Sequence, residues 1–207
     1  MGKNKMTSLT FYGGVGDSIR MKDKIKSPDI KRLQKYIAEL AVTGSSLRNQ
    51  GAKNMIETAR EYLKILDLKR FSDIKNEIEF NKVLDDCTSE LNVKFPVDDF
   101  GAARKAINIF LFQASMNYFL SKHYNLLKII PYLEVPLDGD VIRGLKKHTN
   151  KKLPRWESIK KLEKENSKIF QECATKIARS KGHYRVYLDI EYWRNKKDII
   201  NLLRLNK

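Results

Sequence analysis

Four side chains in the second half of the chain have the types and spacing to do chemistry. Lys105 stands in Gly101-Ala-Ala-Arg-Lys-Ala-Ile-Asn-Ile, near the start of a strongly apolar run. An amine attacks carbon once it has lost its proton, and burial or a neighbouring cation such as Arg104 favours that loss. The simpler role is a lysine snorkelling outward from the end of a buried helix. Asp138 follows 33 residues later in Val-Pro-Leu-Asp-Gly-Asp, where an extended stretch gives way to a new helix. A carboxylate fixed there can stabilise developing positive charge or activate a nucleophile. It also suits the N-cap of that helix, and Asp140 competes for either job. Asp189 and Trp193 are four apart and share a helical face, so a carboxylate beside an aromatic plane could hydrogen-bond and stack one planar base. A capping aspartate with its tryptophan in the core serves as well.

The elements that would hold these groups read as helices almost throughout. Leu33, Tyr36, Ile37, Leu40 and Ala41 fall on one helical stripe; Met55, Ile56, Ala59, Leu63 and Leu66 form a second, and Phe80, Val83, Leu84, Cys87 and Leu91 a third. Residues 102–120 are apolar on nearly every side and predict one central helix packed all round. Ile169, Phe170, Cys173, Ala174, Ile177 and Ala178 make a further stripe, closed by Gly182 in the position of a helix C-cap. Shorter helices are expected over about 186–194 and 196–205. Pro28, Gly44, Pro96, Pro131, Pro136 and Pro154 mark breaks, and Phe11 to Gly16 reads as a turn, since it lacks the lysine-serine pair of a phosphate loop. The expectation is an all-α protein of nine or ten helices in a single domain over 1–207, with possible lobes 1–92 and 93–207 and a hairpin near 92–105.

Charge narrows the partner. The 41 Lys and Arg against 25 Asp and Glu in 207 residues give +16, which points to a polyanion. Basic residues gather at Arg143, Lys146, Lys147, Lys151, Lys152 and Arg155, with further groups at Lys22 to Lys26 and Lys31 to Lys35. Cys87 and Cys173 lie among apolar residues and read as buried thiols. No apolar stretch has the length to span a bilayer, and the first residues show no leader pattern, so a cytoplasmic, nucleoid-associated chain is expected.

Taken together, 95–194 resemble the helix-hairpin-helix DNA glycosylases, most closely their archaeal 8-oxoguanine branch. The Gly101 to Ile109 segment is similar to the helix that begins with that family's catalytic lysine, Val135-Pro-Leu-Asp138 to its aspartate segment, and Val186-Tyr-Leu-Asp189-Ile-Glu-Tyr-Trp193 to its late base-contacting helix. The resemblance implies a two-lobed all-α fold with the active site in the cleft between lobes. It implies Lys105 and Asp138 as catalytic, with Asp189, Trp193, Ile109 and Pro136 against the extruded base. Gly101 and Arg104 of the hairpin, and the cluster from Arg143 to Arg155, would hold DNA phosphates. The hairpin lacks the family's Leu-Pro-Gly-Val-Gly, and Ile109 stands where an aromatic faces the base, which implies a remodelled pocket. The implied substrate is double-stranded DNA carrying 8-oxoguanine or another modified base, including a bulky phage-type modified cytosine. No metal or cofactor is implied, and a monomer is expected. A non-catalytic basic DNA-binding module and a helical adaptor for an acidic protein are the alternative readings.

Overall fold

A computed structural model describes residues 28–47 and 54–193, and among these the regular elements are helices. They are α1 (Ile30–Ala41), α2 (Met55–Ile65), α3 (Glu77–Lys94), α4 (Phe100–Met116), α5 (Tyr118–Tyr124), α6 (Gly139–His148), α7 (Lys164–Ser180) and α8 (Leu188–Tyr192), with 3-10 turns at Leu68–Phe71, Leu126–Ile129, Ile159–Lys161 and Arg185–Tyr187. The described chain is all-α. The Phe11 to Gly16 turn, the Lys22 to Lys26 group and the helix expected at 196–205 lie outside the described residues.

The stripes on α2 and α3 pack as their periodicity requires, with Met55, Ala59, Leu63 and Leu66, then Phe80, Leu84, Cys87 and Leu91, buried. The stripe on α1 is rotated. Its buried face is Gln34, Ile37, Ala38 and Ala41, while Tyr36 and Leu40 are exposed. Gln34 belongs inside because its amide donates to Leu63 O (3.0 Å) and Leu66 O (2.8 Å), carbonyls left open at the end of α2. The apolar run over 102–120 is likewise two helices. Asn117 closes α4 through its N–H to Ala114 O and Gln113 O, and its side chain accepts from Leu120 N to cap α5. On α7 the stripe is buried apart from Ile169, and Gly182, at φ +75°, reverses the chain so that His183 N donates to Ala178 O (3.1 Å).

The apolar interior forms two clusters. One joins α1 to α5 with Leu133 and Val186; the other joins Val135, Leu137, α6, Leu162, α7 and Leu188. In chain order Glu134 stands between Leu133 of the first cluster and Val135 of the second. Both thiols are buried and free, and no helix among the described residues is long and apolar enough to cross a membrane.

Candidate active site

A cleft of about 530 Å³ opens between elements of the two clusters. One wall carries Leu40, the Thr43 to Ser46 turn and the α4 side chains Lys105, Ile109 and Gln113; the other carries the start of α6, Asp189 and Trp193. Three of the four side chains singled out for chemistry therefore face one space with Trp193 at the fourth corner. Trp193 is 64% exposed and lines this space instead of filling the core.

Lys105 is buried rather than turned to solvent. Its Nζ donates to Asp138 Oδ2 at 3.1 Å, because an ammonium removed from water needs a carboxylate nearby. Asp138 keeps its capping role through the other oxygen: Oδ1 accepts from Asp140 N and Val141 N, both at 3.0 Å. One carboxylate is thus oriented by a helix N-terminus and paired with an amine. Asp140 is committed to an ion pair with Arg143 one turn along α6. Asp189 completes the cluster. Burial and then the negative charge of Asp138 push its carboxyl up to about 6, with Lys105 opposing.

The segment that delivers Asp138 is clamped by groups the sequence reading did not single out. Arg185 donates to Tyr132 O (2.6 Å) and Leu133 O (3.0 Å), Asn108 Oδ1 accepts from Glu134 N (3.2 Å), and Gln171 takes both backbone groups of Val135, accepting from its N–H at 3.1 Å and donating to its C=O at 2.8 Å. Residues 133–138 belong to no regular element; the N–H groups of Tyr132 and Leu133 bond back to the Ile129 turn, and buried side chains from α4, α7 and the 185–187 turn take the groups that follow. A charged or amide residue inside an apolar stretch, as Glu134 and Arg185 are, was the one available signal.

Three expected DNA or base contacts are placed elsewhere. Arg104 is buried and forks onto both oxygens of Glu134 (2.8 Å each) while Nη1 reaches Asp85 (2.7 Å), so it is a structural cation, unavailable to phosphate. Burial would raise the Glu134 carboxyl, but the Arg104 guanidinium outweighs it and holds the group below its ordinary range. The same pairing neutralises the cation expected to act on Lys105. Gly101 is covered by the Ile159 turn: an added Cβ would lie 2.1 Å from Ile159 O. The N-terminus of α4 is also occupied, with Asp99 accepting from Ala102 N at 2.8 Å, so the hairpin presents no open phosphate seat at Gly101. Pro136 is buried behind Lys105 beside Arg104 and Glu134, outside the cleft.

The remaining basic residues are at the surface. Arg143, Lys146 and Lys147 project from α6, and Lys151, Lys152 and Arg155 follow it in the connecting loop. Lys176 of α7 adds a cation the sequence reading passed over; its proximity lowers the Lys151 ammonium from its ordinary range. Among the described residues no group of three or more His, Cys, Asp or Glu could hold a metal ion. Protein-family models, curated proteins and solved structures contain no match to this chain.

Proposed function

We propose that the chain is a DNA glycosylase of the helix-hairpin-helix type that removes a modified base through Lys105, with Asp138 as its proton partner, and then cleaves the strand as a lyase. The Lys105–Asp138 pair carries the reading: two groups 33 residues apart in sequence meet at 3.1 Å in the wall of a cleft whose size falls within the roughly 300–1,000 Å³ of ligand sites. In this reading the turn between α3 and α4 is the hairpin, and the two apolar clusters are lobes flanking the site.

The target nucleotide leaves the stack and enters the cleft, at a cost of a few kcal/mol recovered by contacts there. Trp193 stacks on the base and Asp189 hydrogen-bonds it. The ammonium of Lys105 gives a proton to Asp138, and the neutral amine attacks C1′. The Nζ–C1′ bond forms as the glycosidic C1′–N bond breaks; its electron pair leaves with the base, which takes up the proton from Asp138. The adduct opens to a Schiff base as the C1′–O4′ bond breaks and the ring oxygen takes a proton from the attached nitrogen; loss of a proton from C2′ then breaks the C3′–O bond and expels the 3′ phosphate.

Oxidised guanine is the base implied by the resemblance. The cleft wall itself favours a second substrate, a cytosine bearing a bulky hydroxylated group: Thr43, Ser45 and Ser46 line it with hydroxyls, Gln113 adds an amide, and Ile109 leaves room where an aromatic would stand.

Duplex oligonucleotides carrying either base, incubated with the protein and borohydride, are expected to give a covalent complex that Lys105→Gln does not form. Asp138→Asn keeps the helix cap and should lower base release by about 10²–10³-fold with duplex binding nearly intact. Unchanged turnover in that variant would remove Asp138 from the mechanism. Salt-sensitive duplex binding with no release of any base would leave a non-catalytic DNA-binding protein.

A further inference from the structure

A second cavity, of about 510 Å³, lies where the end of α7, the 182–187 turn and the Pro131–Tyr132 corner meet, and it shares no lining residue with the Lys105 cleft. Its walls combine aromatic faces with cations. Tyr184 is 47% exposed, and its ring stands 6.3 Å from that of Tyr187, tilted by 34°. His183 meets the Tyr187 edge at 6.4 Å. Arg179, exposed on the last turn of α7, lines the cavity, and its guanidinium pairs with no carboxylate among the described residues. Arg185 forms a buried part of the wall and is already taken by Glu77 (3.1 Å) and by the carbonyls of Tyr132 and Leu133.

The chain is built to hold these groups in place. The left-handed conformation of Gly182 folds 183–184 back over the helix end, and Arg185 fixes the far side. An exposed tyrosine face beside an uncommitted guanidinium is the combination that takes a flat ring carrying an anion, the ring stacking and the planar fork gripping phosphate. Glu77 excludes a simple anion trap, since it balances Arg185 and leaves Arg179 as the cation offered to ligand.

We infer that this cavity is a nucleotide site separate from the cleft, stacking the base on Tyr184 and pairing the phosphate with Arg179. The inference does not depend on the reaction proposed at Lys105. It has a consequence for that site all the same, because Arg185 grips the segment leading to Asp138 and Tyr187 stands two residues before Asp189. The nucleotide can come free from solution or as an unstacked unit of a strand.

Titration of the full chain with deoxyadenosine monophosphate, with deoxyribose 5-phosphate and with a short single-stranded oligonucleotide, read by amide NMR shifts, distinguishes the cases. The monophosphate or the oligonucleotide should shift the Gly182, His183 and Tyr184 amides saturably. The sugar phosphate, lacking a base, should bind about tenfold more weakly than the monophosphate or worse, and Tyr184→Ala and Arg179→Ala should each weaken binding by about tenfold or more. Both positions are at the surface, so circular dichroism should show the variants folded. Lys105→Gln should leave these shifts unchanged, which separates this site from the cleft. Saturation by the monophosphate identifies a free nucleotide, and saturation by the oligonucleotide alone identifies a strand. No saturable shift with either ligand, sugar phosphate binding as tightly as monophosphate, or affinity indifferent to both substitutions would each overturn the inference.

Discussion

Lys105, Asp138 and Asp189 line the cleft as ionisable side chains whose environments differ. Lys105 and Asp138 neutralise one another, and Asp138 is further held by two backbone N–H groups. Asp189 has burial against it and a like charge beside it, which lifts its carboxyl to about 6. The unfolded chain ionises this group near the ordinary carboxylate value, so between roughly pH 4 and 6 the native state keeps a proton that the unfolded state has lost. That proton favours the fold at low pH, and the advantage falls away as pH rises through about 6. Asp189→Asn should therefore gain stability relative to wild type across that window and hold a constant lead above it. Melting temperatures recorded from pH 4 to 8 for both proteins test this; parallel curves would show that Asp189 titrates normally. Lys105 and Asp138 were readable in the sequence because each has a local signature, a lysine inside an apolar helix and an aspartate at a helix start. Their contact was not, because a separation of 33 positions carries no trace of it.

At the scale of elements, the cleft depends on α4 and α6 meeting across a clamped segment and on α8 lying against α6. The second contact is set by Gly144: a Cβ there would stand 2.4 Å from Tyr192 Cγ, far inside contact distance. Tyr192 sits directly between Asp189 and Trp193 in chain order, so Gly144→Ala must displace the helix that carries both. The expected cost is about 1–3 kcal/mol, as for other overpacked sites, together with a loss of base release larger than the loss of duplex binding. Equal loss of both, or loss of neither, would show that α8 does not position the site. Helix periodicity foretold α2, α3 and α7 well. It misjudged α1, where a glutamine is inside for its hydrogen bonds, and α4, where one asparagine both ends a helix and starts the next. In both places a polar side chain satisfying backbone groups outweighed the apolar pattern.

The whole molecule carries a charge of +16, and the described part of that charge is displayed on α1, α6 and the loop after α6. If duplex DNA is the partner, the logarithm of affinity should fall linearly with the logarithm of salt, with a slope near −0.9 for each phosphate neutralised. Replacing Lys146 by Ala should reduce that slope by about one, while Arg104→Ala should instead unfold or destabilise the protein, since Glu134 would be left buried without its cation. Filter binding across a salt series and a denaturant melt separate the two outcomes. A slope unchanged by Lys146→Ala would take α6 out of the interface.

Composition and period were enough to determine an all-α chain, and local signatures were enough to nominate Lys105, Asp138, Asp189 and Trp193. These properties are carried by residues within a few positions of one another, where helix geometry alone decides the outcome. The tertiary structure decided which cations are buried, turning Arg104 inward to Glu134 while Arg143 and the lysines that follow it stay at the surface. It also decided that Gly101 meets a carbonyl rather than a phosphate, and that a buried clamp of Asn108, Gln171 and Arg185 holds the backbone leading to Asp138. Those are pairings across 26 to 58 residues, chosen by which groups must be satisfied once water is excluded, and no short-range pattern encodes them.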